Sequence, residues 1–197
     1  IRPTFTFDSL LEKSPIKKSI IQGTDLVFVR ELTGGIYFGK RGRNKADDYA
    51  YDTCEYNVNE IKRLAKIGFE LAMKRSKKLC CIDKANVLET SRLWRQTVQL
   101  LEKNYPDVNV SYEFVDAVAM RLIHSPCYYD VLITSNLFGD ILTDEASVIC
   151  GSMGLMPSAS VGVETSIYEP IHGSFPQAKG KNIANPLATI LSASMMF

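Results

Sequence analysis

Two short apolar runs, Leu79 to Ile82 (LCCI) and Tyr129 to Thr134 (YDVLIT), constrain this chain more than any other feature. Each is too short for a core helix, is bounded by polar residues, and reads as a buried strand. Around them the hydrophobic period changes to that of a helix. Asn57 to Arg75 places Ile61, Leu64, Ala65, Gly68, Leu71 and Ala72 on one face. Ser91 to Tyr105 turns Leu93, Trp94, Thr97, Val98 and Leu101 inward and is stopped by Pro106. Val108, Val110, Tyr112 and Phe114 alternate at period two, as a half-buried strand does, and Asp25 to Arg30 (DLVFVR) is a further strand. Ala117 to His124 and Gly139 to Cys150 complete the series as helices. Strands separated by helices specify an α/β layer fold.

Local punctuation supports these boundaries. Asn57 with Glu60 forms a capping-box pattern. The basic run Lys74-Arg75-Ser76-Lys77-Lys78 falls at a helix C-terminus, where cations complement the helix dipole, so a solvated helix end is preferred to a phosphate site. There is no internal repeat or low-complexity tract. After Gly151 the texture turns to Gly, Ser, Met and Pro, followed by a strand-like Ser166 to Tyr168 and a glycine-rich stretch from His172 to Gly180. The expected domains are therefore residues 1–150 and 151–197.

Composition narrows the function classes. Apolar residues make up 46% and charged residues 23% of the 197, which removes disordered, collagenous and coiled-coil readings. Lys plus Arg number 23 against 22 acidic residues, so no basic field draws in nucleic acid or an anionic membrane. A small molecule or another subunit is the expected partner. No stretch reaches the roughly 18 consecutive apolar residues that mark a membrane helix. The five cysteines show no CxxC pair and read as reduced, implying a cytoplasmic setting. Both ends read as cut: the chain opens at Ile1 without Met, and closes in Asn185-Pro186-Leu187, an N-cap and N1 proline leading into apolar helix without a C-cap before Phe197.

Polar groups collect where strands end, the usual place for ligands in α/β folds. Asp83, Lys84 and Asn86 follow LCCI, Asp116 follows the alternating strand, and Asn136, Asp140 and Asp144 follow YDVLIT. The i, i+4 spacing of Asp140 and Asp144 puts two carboxylates on one helical face, where a hard divalent cation would relieve their repulsion. A solvated acidic face explains the same spacing and is preferred on spacing alone. Lys84 offers an amine at a strand end, and Arg30 and Arg2 offer planar forks for a carboxylate. Tyr37 sits in the glycine-flanked loop Thr33 to Gly39, which either approaches a ligand or simply turns a hairpin. His124, late in an apolar helix, reads as structural; His172 precedes Gly173-Ser174 in a loop able to wrap a nucleotide.

Five segments together resemble the isocitrate/isopropylmalate dehydrogenase family: Arg30 to Gly39 (RELTGGIYFG), Ile82 to Leu88 (IDKANVL), Val115-Asp116-Ala117, Asn136 to Asp144 (NLFGDILTD) and Glu169 to Ser174 (EPIHGS). RELTGGIYFG is similar to the 3-isopropylmalate-using branch rather than to the isocitrate-using relatives. The resemblance implies the layered fold of that family, with a substrate and dimerisation domain over residues 1–150 and a partial return into the nucleotide domain over 151–197. It also implies a central fragment, inactive by itself, of an enzyme that oxidatively decarboxylates 3-isopropylmalate with NAD in leucine biosynthesis.

By the same resemblance Arg2 and Arg30 hold substrate carboxylates, Lys84 is the base for the hydroxyl, and Tyr37 is the acid that protonates the enolate. Asp116, Asp140 and Asp144 correspond to ligands of Mg²⁺ or Mn²⁺, with Lys84 and Asp116 supplied by the neighbouring subunit of a homodimer. The expected dimer contact uses the helices at residues 139–150 and 91–105. Asn86, His172, Gly173, Ser174, Gln177 and Asn185 match cofactor contacts, and Gln177 stands where NAD-using members carry an aspartate. Two other readings remain open on the residues themselves: a metal-dependent hydrolase or phosphoryl transferase built on the three aspartates, and a non-catalytic dimerisation module.

Overall fold

The strand and helix signals resolve, in chain order, into β1 (Arg2–Phe5), α1 (Lys18–Ile21), β2 (Asp25–Arg30), β3 (Arg41–Arg43), β4 (Ala50–Asp52), α2 (Val58–Lys74), β5 (Lys78–Asp83), α3 (Glu89–Glu102), β6 (Asn109–Phe114), α4 (Val115–His124), β7 (Val131–Thr134), α5 (Asn136–Cys150), β8 (Pro157–Val161), β9 (Ser166–Pro170) and α6 (Leu187–Ser194). The computed structural model describes all 197 residues. The main sheet has the order β1-β2-β7-β5-β6. The expected α/β layer architecture forms, on a sheet in which β5, β6 and β7 run parallel and β1 runs antiparallel to β2.

The chain gathers into two compact units, one of residues 29–120 and 129–142 and the other of residues 1–28, 121–128 and 143–197. The change of texture near residue 150 falls within the second unit. The amine of Ile1 donates to the Ala159 carbonyl at 2.7 Å, and the Ala159 N–H donates back to the Ile1 carbonyl at 2.9 Å, so the start of the chain is bonded into its last third.

In the first unit β5 pairs parallel with β6 on one side and β7 on the other, Cys80 standing opposite both Ser111 and Leu132. Both faces are covered, which is why LCCI is continuously apolar. The core includes Phe69, Cys81, Trp94, Val98, Val131 and Ile133. Phe69 stacks on Tyr105 at 4.6 Å and Trp94 meets Tyr56 edge-on at 5.3 Å. Gly68 lets α2 lie close, since a Cβ there would stand 2.3 Å from Ile133 Cγ2. The capping box forms as expected: Asn57 Oδ1 accepts from the N–H groups of Asn59 and Glu60, and the Glu60 carboxylate accepts from the Asn57 N–H.

Three boundaries differ from the pattern reading. Helix α3 starts at Glu89, and α4 starts at Val115 directly from β6, so Asp116 occupies the first turn of a helix rather than a strand end. Helix α5 starts at Asn136, because the Asn-Leu-Phe-Gly opening carries the N-terminal turn without extending the apolar helical period.

In the second unit β1 pairs antiparallel with the first four residues of β2, Arg2 opposite Phe28. Strands β8 and β9 pair antiparallel, and the Ser158 N–H donates to Ser192 Oγ of α6 at 3.2 Å. Cys150, Leu155 and Met156 form a small core with Leu10 and Ile171. All five cysteines are free thiols, and burial pushes Cys150 up to about 11. No helix is long and apolar enough to cross a membrane.

One buried ion pair ties α2 to β7. Asp130, 7% exposed, accepts from Arg75 Nε at 2.5 Å, from the Ser76 N–H at 2.9 Å, and from Ser76 Oγ. Burial raises its pKa, but the bonds from Ser76 and Arg75 outweigh that and leave it below the usual carboxylate range. A depressed folded pKa adds stability above the unfolded value that is lost as pH falls through the folded one. Asp130→Ala is expected to cost about 2 kcal/mol at neutral pH through the buried donors it strands. Urea unfolding at pH 7 and at pH 3 checks this: the gap between variant and wild type should narrow on acidification.

Candidate active site

Because β5, β6 and β7 are parallel, their carboxyl ends open on one edge of the sheet. The end of β2 reaches the same edge, as the Glu31 N–H donates to the Thr134 carbonyl at 3.1 Å. Arg30, Asp83, Lys84, Asp116 and Asn136 are thereby delivered to one side of this unit.

The first cluster forms around Arg30, whose side chain is 8% exposed. Its Nε donates to the Asn136 carbonyl at 2.9 Å and to Asn136 Oδ1 at 3.2 Å, and its Nη2 donates to the same Oδ1 at 2.8 Å. Nη1 donates to Asp140 Oδ1 at 2.5 Å. The Tyr37 hydroxyl donates to Asp140 Oδ2 at 2.6 Å, and its ring lies under the guanidinium at 5.8 Å. That hydrogen bond to Asp140, with burial and the Asp140 charge behind it, raises the Tyr37 pKa above the ordinary phenol value. The phenol is thus held protonated, as a donor. Gly139 makes room, since a Cβ there would stand 2.6 Å from Arg30 Cγ.

The loop that carries Tyr37 is built on a buried carboxylate. Glu31, 3% exposed, accepts from the Thr33 N–H at 2.8 Å, Thr33 Oγ1 at 2.6 Å and the Gly34 N–H at 2.7 Å. Gly35 sits at φ +75°, and a Cβ on it would fall 2.2 Å from Tyr56 Oη. The Tyr56 hydroxyl accepts from the Asn136 N–H at 2.9 Å, and burial pushes its pKa up to about 12. The Thr33 to Gly39 segment is therefore not a hairpin turn; it ends in a 3-10 turn at Gly35–Tyr37, and the hairpin is β3–β4, Arg41 opposite Asp52. Neither Glu31 nor Tyr56 is marked by spacing. The small residues Thr33, Gly34 and Gly35, one position beyond Leu32, are the available signal for Glu31.

The second cluster pairs Lys84 Nζ with Asp116 Oδ1 at 2.5 Å. The bond from Lys84 holds the exposed Asp116 carboxyl below the usual range. Beneath it, Asp83, 1% exposed, takes both Arg95 Nε at 2.7 Å and Nη2 at 3.0 Å, and accepts from the Ala85 N–H at 2.9 Å. The Lys84 N–H donates to Ser91 Oγ at 3.0 Å. Ile36, Leu137 and Phe138 beside the first cluster, and Leu88, Thr90 and Ser91 after Lys84, line a mostly apolar cavity of about 260 Å³.

The remaining expected residues have surroundings of their own. Arg2 Nη1 donates to Thr143 Oγ1 at 2.5 Å in the other unit. Asp144 is exposed, four residues beyond Asp140 on α5. Asn86 is exposed, and its carbonyl accepts from Arg92 Nη2 at 3.5 Å. His172 Nδ1 lies 3.1 Å from the Gly173 carbonyl, and Gly173, Ser174 and Gln177 are exposed. Asn185 Oδ1 accepts from the Leu187 N–H at 3.0 Å, capping α6. His124 is exposed at the end of α4 rather than buried. No three His, Cys, Asp or Glu side chains gather to hold a metal, so Asp116 does not join Asp140 and Asp144 within one chain. The carboxylate oxygens themselves are the donors that Mg²⁺ and Mn²⁺ take.

A family model described as isocitrate/isopropylmalate dehydrogenase matches residues 1–197. The chain is 57% identical over 197 residues to the 3-isopropylmalate dehydrogenase of Bacteroides fragilis, covering all of this chain and 55% of that protein. It is 55% identical over 200 residues to that of Clostridium acetobutylicum, covering all of this chain and 56% of that protein. The crystal structure of isocitrate dehydrogenase from Methylococcus capsulatus superposes with a TM-score of 0.90 at 34% identity, over 99% of this chain and 57% of that one. The chain spans about half the length of the curated relatives it matches.

Gly35 and Gly173 differ in what they require. Gly35 combines positive φ with the approach of Tyr56, whereas a Cβ on Gly173 would meet nothing within 4 Å. Gly35→Ala is expected to cost about 2 kcal/mol, and Gly173→Ala to leave the melting temperature within about one degree. Thermal unfolding of the two variants beside wild type checks both.

Proposed function

Because the chain belongs to the isocitrate/isopropylmalate dehydrogenase family, we propose that the protein containing it oxidises and decarboxylates 3-isopropylmalate to 4-methyl-2-oxopentanoate with NAD, a reaction of leucine biosynthesis. The observation that carries this reading is the convergence of a guanidinium fork and a protonated phenol on Asp140, both borne by RELTGGIYFG. Residues 1–150 serve as the substrate and dimerisation domain and residues 151–197 as part of the nucleotide domain.

Arg30 and Arg2 hold the substrate carboxylates. Lys84 Nζ takes the proton of the C2 hydroxyl, and Asp116 orients that amine until substrate arrives. Asp140, Asp144 and the partner's Asp116 would hold a divalent cation, which would supply a Lewis acid, and bound NAD would supply the acceptor for the C2 hydride. In the 2-oxo acid the bond from C3 to its carboxylate breaks, CO₂ leaves, and the electron pair remains as an enolate. Tyr37 then donates its hydroxyl proton to C3. Asn86, His172, Gly173, Ser174, Gln177 and Asn185 contact the cofactor, and Gln177 accepts a ribose hydroxyl without charge. The enzyme works in the cytoplasm.

A homodimer follows from the same reading, with Lys84 and Asp116 reaching the partner's site. The exposed apolar side chains Met120 and Ile123 on α4 and Ile141 and Val148 on α5 support these two helices as the contact. On α3 the face carrying Trp94 and Val98 is buried in the core, which leaves the opposite face, with exposed Leu100, for the contact expected of residues 91–105.

The test is the absorbance of NADH at 340 nm in the complete protein with 3-isopropylmalate, NAD and Mg²⁺ or Mn²⁺. Metal-dependent hydrolysis without NADH would favour the phosphoryl-transfer reading, and neither activity would favour a dimerisation module. Tyr37→Phe and Lys84→Ala should each lower kcat by about a hundredfold or more. Mixing the two inactive variants should restore part of the activity if the base crosses between copies. Mg²⁺ or Mn²⁺ should raise the melting temperature, and Asp140→Asn should remove most of that rise.

A further inference from the structure

We propose that Asn136 is a positioning residue that decides which edge of Arg30 meets the substrate and ties that edge to the loop carrying Tyr37; this rests on the dehydrogenase reading above. Asn136 opens α5, is 2% exposed, and engages every polar group it has. Its Nδ2 donates to the Gly34 carbonyl at 3.0 Å, which fixes the amide with Oδ1 turned to Arg30. Its N–H donates to Tyr56 Oη at 2.9 Å. Its two oxygens take the Nε and Nη2 hydrogens of Arg30 at 2.8 to 3.2 Å.

A guanidinium can grip a carboxylate either by its side, through Nε and Nη2, or by its end, through Nη1 and Nη2. Here the side is filled by Asn136. A substrate carboxylate is therefore confined to the end, next to Asp140 and the Tyr37 hydroxyl. The same amide grips Gly34, one residue before the 3-10 turn that ends at Tyr37. One buried side chain thus holds the carboxylate anchor and the proton donor in a common frame without touching substrate.

Steady-state kinetics of the complete enzyme test this. Asn136→Ala should raise KM for 3-isopropylmalate about tenfold or more and lower kcat, the scale of one lost charge-assisted bond, while KM for NAD stays within about twofold. Arg30→Lys, which cannot be held by its side, should raise the same KM by itself. The decisive variant is the double: if Asn136 acts through Arg30, Arg30→Lys with Asn136→Ala should be no worse in KM than Arg30→Lys alone. Multiplicative KM effects, or a lowered melting temperature with KM unchanged, would overturn the inference and leave Asn136 a plain helix-end residue. Should Asn136→Ala not fold, Asn136→Ser keeps a short polar group and enters the same cycle. A wild type inert toward 3-isopropylmalate would instead sink the dehydrogenase reading, so the two failures are told apart.

Discussion

Parallel pairing of β5 with β6 and β7 commits three strands to leaving the sheet at one edge, and the chemistry of this unit depends on that constraint. An antiparallel neighbour would send every second strand end to the far side. Here each exit is followed at once by a helix or a tight loop, so the residue after the strand has little freedom: Lys84 is one residue past β5, Asp116 two past β6, and Asn136 two past β7. The order of chemistry along the edge is the strand order of the sheet.

That edge was legible in the sequence because continuous apolar runs and helical periods identify the strands independently of context. LCCI and YDVLIT have no helical alternative, and the capping box at Asn57 marks a helix start from local chemistry alone. What escaped were features decided by long-range partners. The strand at Arg2–Phe5 exists because β2 offers it an edge, and the strand at Pro157–Val161 because β9 does. Their own patterns are weak. The start of α5 differs for a related reason: Asn136 is buried by Arg30, Gly34 and Tyr56, groups 80 or more positions distant in sequence, and no window around it records them.

Buried carboxylates and reactive groups divide the work between them. Glu31, Asp83 and Asp130 are each under 10% exposed, and each accepts at least three hydrogen bonds, from backbone N–H groups as well as side chains. A buried charge left short of donors would cost several kcal/mol, about as much as a whole domain's margin allows, so these acids must be saturated. Saturation is also what makes them rigid supports, for the Tyr37 loop, for Lys84 and for the α2–β7 junction in turn. Asp116 and Asp140, by contrast, are 62% and 39% exposed in their side chains, and each meets one long cation. The Lys84–Asp116 pair is worth little in stability, because water reaches its carboxylate, whereas Asp140 is gripped by a guanidinium only 8% exposed and by the Tyr37 hydroxyl. Exchanging the Lys84–Asp116 bond for one to a ligand is correspondingly cheap, which suits the change of partner that the proposed reaction asks of Lys84.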